Sequence, residues 1–173
     1  MTYWQPARAL ALASLAALRF MPAPADAQAT VAAYHSRADS LRLAGNAAMD
    51  KRGVPEAMKL WRESLRLATT SRDSAAIGRA WLSIGGGFYR LGTLDSAMAY
   101  LVKAERVSRR YADTRARANA IGVLASVHRD LGELSVAESL YHRASRLREV
   151  IGDSRGIAAD QNNLGALAQE RGD

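Results

Sequence analysis

The sequence predicts an all-α fold: an α-solenoid of stacked antiparallel helical hairpins, about three and a half units long. Three observations carry that expectation. Residue types return at a step of 40: Asp73, Asp113 and Asp153; Ala57, Ala97 and Ala137; Gly45, Gly85 and Gly165, with Ala125 in the remaining slot. Bulky residues keep the same step, as Leu41, Trp81 and Ile121, and again as Trp61, Leu101 and Tyr141. Self-similarity at such a period marks an architecture in which each unit buries its apolar face only by stacking on a neighbour. Within a block, Ile77, Trp81, Ile84 and Phe88 recur at the spacing of one helix face. Alanine and leucine dominate, valine, isoleucine and threonine are sparse, and there are only four prolines, which favours helix over strand.

The first segment, residues 1–27, reads as a secretory signal. Arg8 precedes an apolar run from Ala9 to Leu18, then Pro22 and Pro24 lead to Ala25-Asp26-Ala27. A positive start, a short apolar core and a small-x-small cleavage site come in the order of an export leader. A core of ten residues is too short to span a bilayer, which needs roughly 20. Cleavage near Ala27 would place the mature chain in the periplasm or outside the cell. Residues 28–33 read as a short linker.

The array follows, with units 34–73, 74–113 and 114–153 and a half unit 154–173. Each full unit reads as two helices. In the second unit the first helix runs from about Ser74 to Arg90, Gly92 interrupts, and the second runs from about Asp95 to Arg110. Ala97, Tyr100, Leu101, Ala104 and Val107 form its apolar stripe. The third unit repeats this with Ile121, Leu124 and His128, then Gly132, then Ala137, Leu140, Tyr141, Ala144 and Leu147. Asp73, Asp113 and Asp153 stand where first helices begin, and a short acidic side chain there accepts hydrogen bonds from unpaired amides of the first turn. The first unit slips by one residue, since Gly53 lies 39 before Gly92 and Pro55 falls in the opening turn of the next helix. Small residues at 45, 85, 125 and 165 let helices approach closely. The last helix, Ser154 to about Glu170, keeps the signature Leu164-Gly165 but has no second helix to follow it.

Trp81, Ile84-Gly85, Phe88, Gly92, Ala97, Leu101 and Ala104 resemble the signature of the tetratricopeptide repeat (TPR) family. The resemblance covers 34–173. Its step of 40 is similar to the longer-helix variant of kinesin light chains and of bacterial regulatory arrays. It implies a right-handed superhelix whose first helices line a concave groove that holds peptides or partner domains. By that resemblance the groove residues are Arg42, Asn46 and Met49; Arg79, Leu82, Gly86, Tyr89 and Arg90; Asn119, Gly122, Ser126 and Arg129; and Asn162, Ala166 and Gln169. Some members clamp a terminal carboxylate with basic residues and asparagines. Arg42, Asn46 and Asn119 echo that set, whereas Ser83 and Val123 depart from it.

Chemistry is not expected. The chain has no cysteine, which removes disulfides, thiolate metal sites and a cysteine nucleophile. His35 and His142 lack neighbouring ligands, and His128 occupies an aromatic slot and reads as a core residue, so neither metal nor cofactor is expected. No serine has a plausible histidine and acid partner. Gly85-Gly86-Gly87 falls inside a helix with no strand before it, so it is no phosphate loop. Three glycines there cost about 1 kcal/mol each against alanine, which calls for a bend or a close contact. The net charge of +7 comes mostly from arginines spread over every helix, so nucleic acid is not an expected partner. Nor is a membrane, once the signal is removed.

The expectation is therefore an exported, non-enzymatic scaffold that binds a protein or peptide. The arginines at 79 and 90 favour an extended or acidic one. The alternative is the sensory or regulatory amino-terminal segment of a larger protein, with an effector domain such as a caspase-like protease or a kinase beyond residue 173. End-to-end self-association through the last helix is a further expectation.

Overall fold

The structure, a computed structural model, describes residues 25–172. Most of the expected signal, residues 1–24, lies outside them. The described residues form seven helices and no strand: α1 Ala25–Arg52, α2 Val54–Thr70, α3 Ser74–Arg90, α4 Leu94–Arg110, α5 Thr114–Asp130, α6 Leu134–Val150 and α7 Ser154–Arg171. One compact unit comprises Tyr34–Asp173. Residues 28–33, expected as a linker, are helical as part of α1. They contain neither Gly nor Pro and three alanines, the strongest helix former.

The phased aspartates start the first helices. The carboxylates of Asp73, Asp113 and Asp153 accept from the amides of Ala76, Ala116 and Gly156 at 2.9, 3.0 and 3.1 Å. Each such cap stabilises its helix by about 1 kcal/mol. The second helices α2, α4 and α6 start without a side-chain cap. Asp95 sits one residue inside α4, where its charge suits the positive end of the helix dipole. The turns within hairpins use Gly53, Gly92 and Gly132 at φ 81°, 71° and 78°. The turns between hairpins need the same left-handed backbone, and there Arg72 and Ala112 adopt φ 54° alongside Gly152 at 64°.

Packing explains the small-residue column. A Cβ on Gly45 would lie 2.5 Å from the indole nitrogen of Trp61, and one on Gly85 would lie 2.8 Å from Cγ of Leu101. Ala125, fully buried, shares a core cluster with Tyr141. Thus one bulky residue of each second helix sits on one small residue of the first, and the step of 40 follows from that fit. Gly165 has nothing within 4 Å at the same place in α7. Between hairpins, α2 packs on α3, α4 on α5 and α6 on α7, and α3 also touches α5. The core is a chain of small clusters: Ala38 with Leu67, Ala68 and Ala76; Trp61 with Ala57, Met58 and Ile84; Leu101 with Ala97, Leu124 and Val127; Tyr141 with Ala125, Ala137 and Leu167. Each fully buried large side chain contributes about 1.5–3 kcal/mol, so stability is spread along the array.

Candidate ligand groove

The helices α1, α3 and α5 present a common face with two adjoining depressions. The first, of 430 Å³, is lined by Asn46, Met49, Trp61, Ser83, Gly86, Tyr89, Arg90 and Val123. The second, of 590 Å³, is lined by Arg42, Asn46, Arg79, Leu82, Ser83, Arg90, Asp113, Arg115, Ala116, Asn119 and Val123. Asn46, Ser83, Arg90 and Val123 border both.

The three consecutive glycines of α3 divide their work. Gly85 admits Leu101. Gly87 admits Trp61 and Met58, since a Cβ would lie 2.8 Å from the indole ring and 2.9 Å from the methionine sulfur. Gly86 has nothing within 4 Å and leaves open the floor of the first depression. The helix runs unbroken through all three; close contact accounts for two of them and an opening for the third.

Most groove cations are already neutralised. Arg79 lies between Asp39, at 3.3 Å, and Asp113, at 3.4 Å. Arg42 pairs with Asp39 at 3.3 Å, and Arg115 with Asp153 at 3.3 Å. Arg90 is exposed and has no ion-pair partner among the described residues. It is the groove arginine left to meet an external anion. Burial raises the phenol of Tyr89 above its ordinary range, and the neighbouring Asp130 raises it further.

The structure brings together Arg42, Asn46, Met49, Arg79, Leu82, Gly86, Tyr89, Arg90 and Asn119 of the expected groove set. The others stand apart from the depressions. Ser126 shares a hydrogen bond with the buried Tyr141 at 2.9 Å. Arg129 is held by Asp130 at 3.5 Å and Glu170 at 3.8 Å. Asn162 and Gln169 are exposed on α7 and border neither depression. Gly122 is buried under Arg148. Ser83 and Val123, departures from a carboxylate clamp, both line the groove instead. Trp61 was not among the expected residues because its phase belongs to a second helix. One signal did exist: a buried indole N–H requires an acceptor, and a polar side chain of α1, Asn46, lies within its reach. His128 is no core residue, because its ring reaches Glu133 in the α5–α6 turn. Among the described residues, no group of three or more His, Asp or Glu side chains is placed to hold a metal ion, and no helix is long and apolar enough to cross a membrane.

No family model matches the sequence, and no curated protein matches it. Solved structures do. The crystal structure of BtubC (BKLC) from P. vanneervenii superposes with a TM-score of 0.64 at 18% identity, covering 83% of this chain and 66% of that one. A kinesin-light-chain-type protein from Podosopora anserina with nearly identical TPR-like repeats superposes with a TM-score of 0.66 at 15% identity, covering 80% and 68%. The chain thus spans about two thirds of the length of each structure. The fold is that of TPR-like repeat proteins, an all-α solenoid.

Proposed function

We propose that this chain is an exported binding scaffold without catalytic activity of its own. Its groove between α1, α3 and α5 takes an extended, acidic protein segment. The observation that carries the reading is Arg90: a guanidinium with no ion-pair partner among the described residues, on the shared border of two depressions, the second of which Asn46 and Asn119 also line. A depression with apolar walls and one free charge suits an extended chain bearing a carboxylate. Arg79 contributes less, because Asp39 and Asp113 already satisfy it.

The test is fluorescence anisotropy with a labelled oligo-glutamate peptide, against oligo-lysine of equal length. The wild type binds oligo-glutamate preferentially, more weakly at high salt. Arg90→Glu weakens binding about tenfold or more, the effect of losing a charge-assisted contact and gaining a repulsion. Equal affinity in wild type and Arg90→Glu, or no preference between the peptides, overturns the groove assignment. Export is tested separately, by amino-terminal sequencing of the mature protein. A chain that retains Met1 and stays in the cytosol excludes it.

A further inference from the structure

Two groove asparagines are held from behind. The indole Nε1–H of Trp61 donates to Oδ1 of Asn46 at 3.0 Å, and also to the carbonyl of Arg42 at 3.2 Å. A guanidinium nitrogen of Arg148 donates to Oδ1 of Asn119 at 3.3 Å. Trp61 and Arg148 come from α2 and α6, second helices of their hairpins, and both are buried, at 3% and 7% exposure. An indole N–H and a guanidinium can only donate. The asparagine atom that meets each must therefore be the oxygen. The amide NH2 groups then face away from Trp61 and Arg148, at the border of the depressions, and neither has a partner among the described residues.

Stacking does not demand this arrangement. At the place of Asn46 and Trp61 the middle unit has Gly86 and Leu101, and it packs with no polar group. At the place of Arg148 the earlier units have Ala68 and Ser108, both buried. Arg148 is accommodated by Gly122, where a Cβ would lie 3.1 Å from its Nη2, and by Gly156, where a Cβ would overlap its side chain. Asp160, 2% exposed, takes the other guanidinium nitrogen. A long cation has been inserted into a junction that closes without one elsewhere, and its far end lies on a groove side chain.

We infer that Trp61 and Arg148 are positioning residues that set the hydrogen-bonding polarity of the groove. They fix Asn46 and Asn119 as donors, so that with Arg90 the groove offers donors to its ligand. The ligand class that fits is one rich in acceptors: the main-chain carbonyls and side-chain carboxylates of an extended acidic peptide. This rests on the groove being the ligand site.

The experiment has an arm without ligand and an arm with it. In the free protein, NMR reads the Trp61 indole proton and the Asn46 and Asn119 side-chain amides. The indole proton exchanges slowly, stays protected in Asn46→Asp, which keeps an oxygen in place, and exchanges faster in Asn46→Leu, where only the carbonyl of Arg42 remains to accept it. The Asn119 amide resonances shift in Arg148→Met and stay in place in Arg146→Met, a change on the exposed side of the same helix. An indole proton that exchanges as freely in wild type as in Asn46→Leu, or unmoved Asn119 resonances in Arg148→Met, overturns the positioning role whatever the groove binds. In the second arm, oligo-glutamate affinity falls about tenfold in Asn46→Asp and in Asn119→Asp, and the loss persists at high salt, where simple charge repulsion is screened. Trp61→Phe, which is neutral and leaves Asn46 free to turn, weakens binding about threefold with helicity unchanged. Unchanged affinity in all three variants overturns the donor assignment. A wild type that binds no oligo-glutamate sinks the groove reading and its donor assignment, while the first arm still decides the positioning role.

Discussion

Arg148 and Asp160 form a buried ion pair in the junction between α6 and α7, where the earlier junctions hold Ala68 with Ala80 and Ser108 with Ala120. Burial pushes the Asp160 carboxyl above the usual carboxylate range, and Arg148 pulls it part of the way back. The guanidinium Nε has no partner among the described residues, so the pair is incompletely satisfied. Removing one member strands the other. Arg148→Ala should cost about 3–5 kcal/mol, whereas the set Arg148→Ser, Asp160→Ala and Gly156→Ala, which restores the composition of the preceding junction, should hold or raise stability. Urea denaturation of both variants measures this. A single mutant as stable as wild type would show that the pair is not buried in solution.

The neighbouring glycines of α3 should respond in opposite directions to the same substitution. Gly86→Ala meets open space and gains helix propensity, raising stability by about 0.5–1 kcal/mol. Gly85→Ala drives a methyl into Leu101 and the carbonyl of Ala97, and Gly87→Ala drives one into Trp61 and Met58. Overpacking of that kind costs about 1–3 kcal/mol. Thermal denaturation of the three variants in parallel decides it; equal effects would contradict the packing.

Burial of Tyr141, fully enclosed in the last cluster, raises its phenol, and burial does the same to Tyr89. The folded state therefore keeps protons that the unfolded chain releases near the ordinary tyrosine value of about 10. Where the folded state binds more protons, stability falls as pH rises. The fall should begin near pH 10 and continue up to the raised folded values. Urea midpoints between pH 8 and pH 11, with ultraviolet absorbance following phenolate, test it. Tyr141→Phe should flatten the slope while losing about 1 kcal/mol at neutral pH with the Ser126 hydrogen bond.

Ala112 carries a left-handed backbone at φ 54° in the turn between α4 and α5, where the corresponding turn before α7 uses Gly152. An L side chain there costs roughly 1–2 kcal/mol. Ala112→Gly should stabilise the fold by about 0.5–1 kcal/mol after the greater chain entropy of glycine is subtracted. A lower melting temperature in that variant would count against the turn geometry.

The repeat was legible because each hairpin solves the same packing problem with the same residues. Gly45 under Trp61 and Gly85 under Leu101 leave a periodic trace, and so do the capping aspartates. The groove was legible only in part. Phase places Arg42, Arg79 and Arg90 on one face, yet phase is silent on pairing across helices, and Asp39 and Asp113 consume Arg79. Arg129 is lost to Glu170 in the same way.

Period, helix boundaries and hairpin order are thus properties of the sequence itself, since they follow from local propensity, capping and a recurrent small-against-large contact between residues 16 apart in the chain. The tertiary structure alone decided which charges remain free, which way Asn46 and Asn119 face, and where Gly86 leaves a depression. Those depend on side chains from separate helices meeting at distances of a few ångströms, and no one-dimensional pattern records such a meeting.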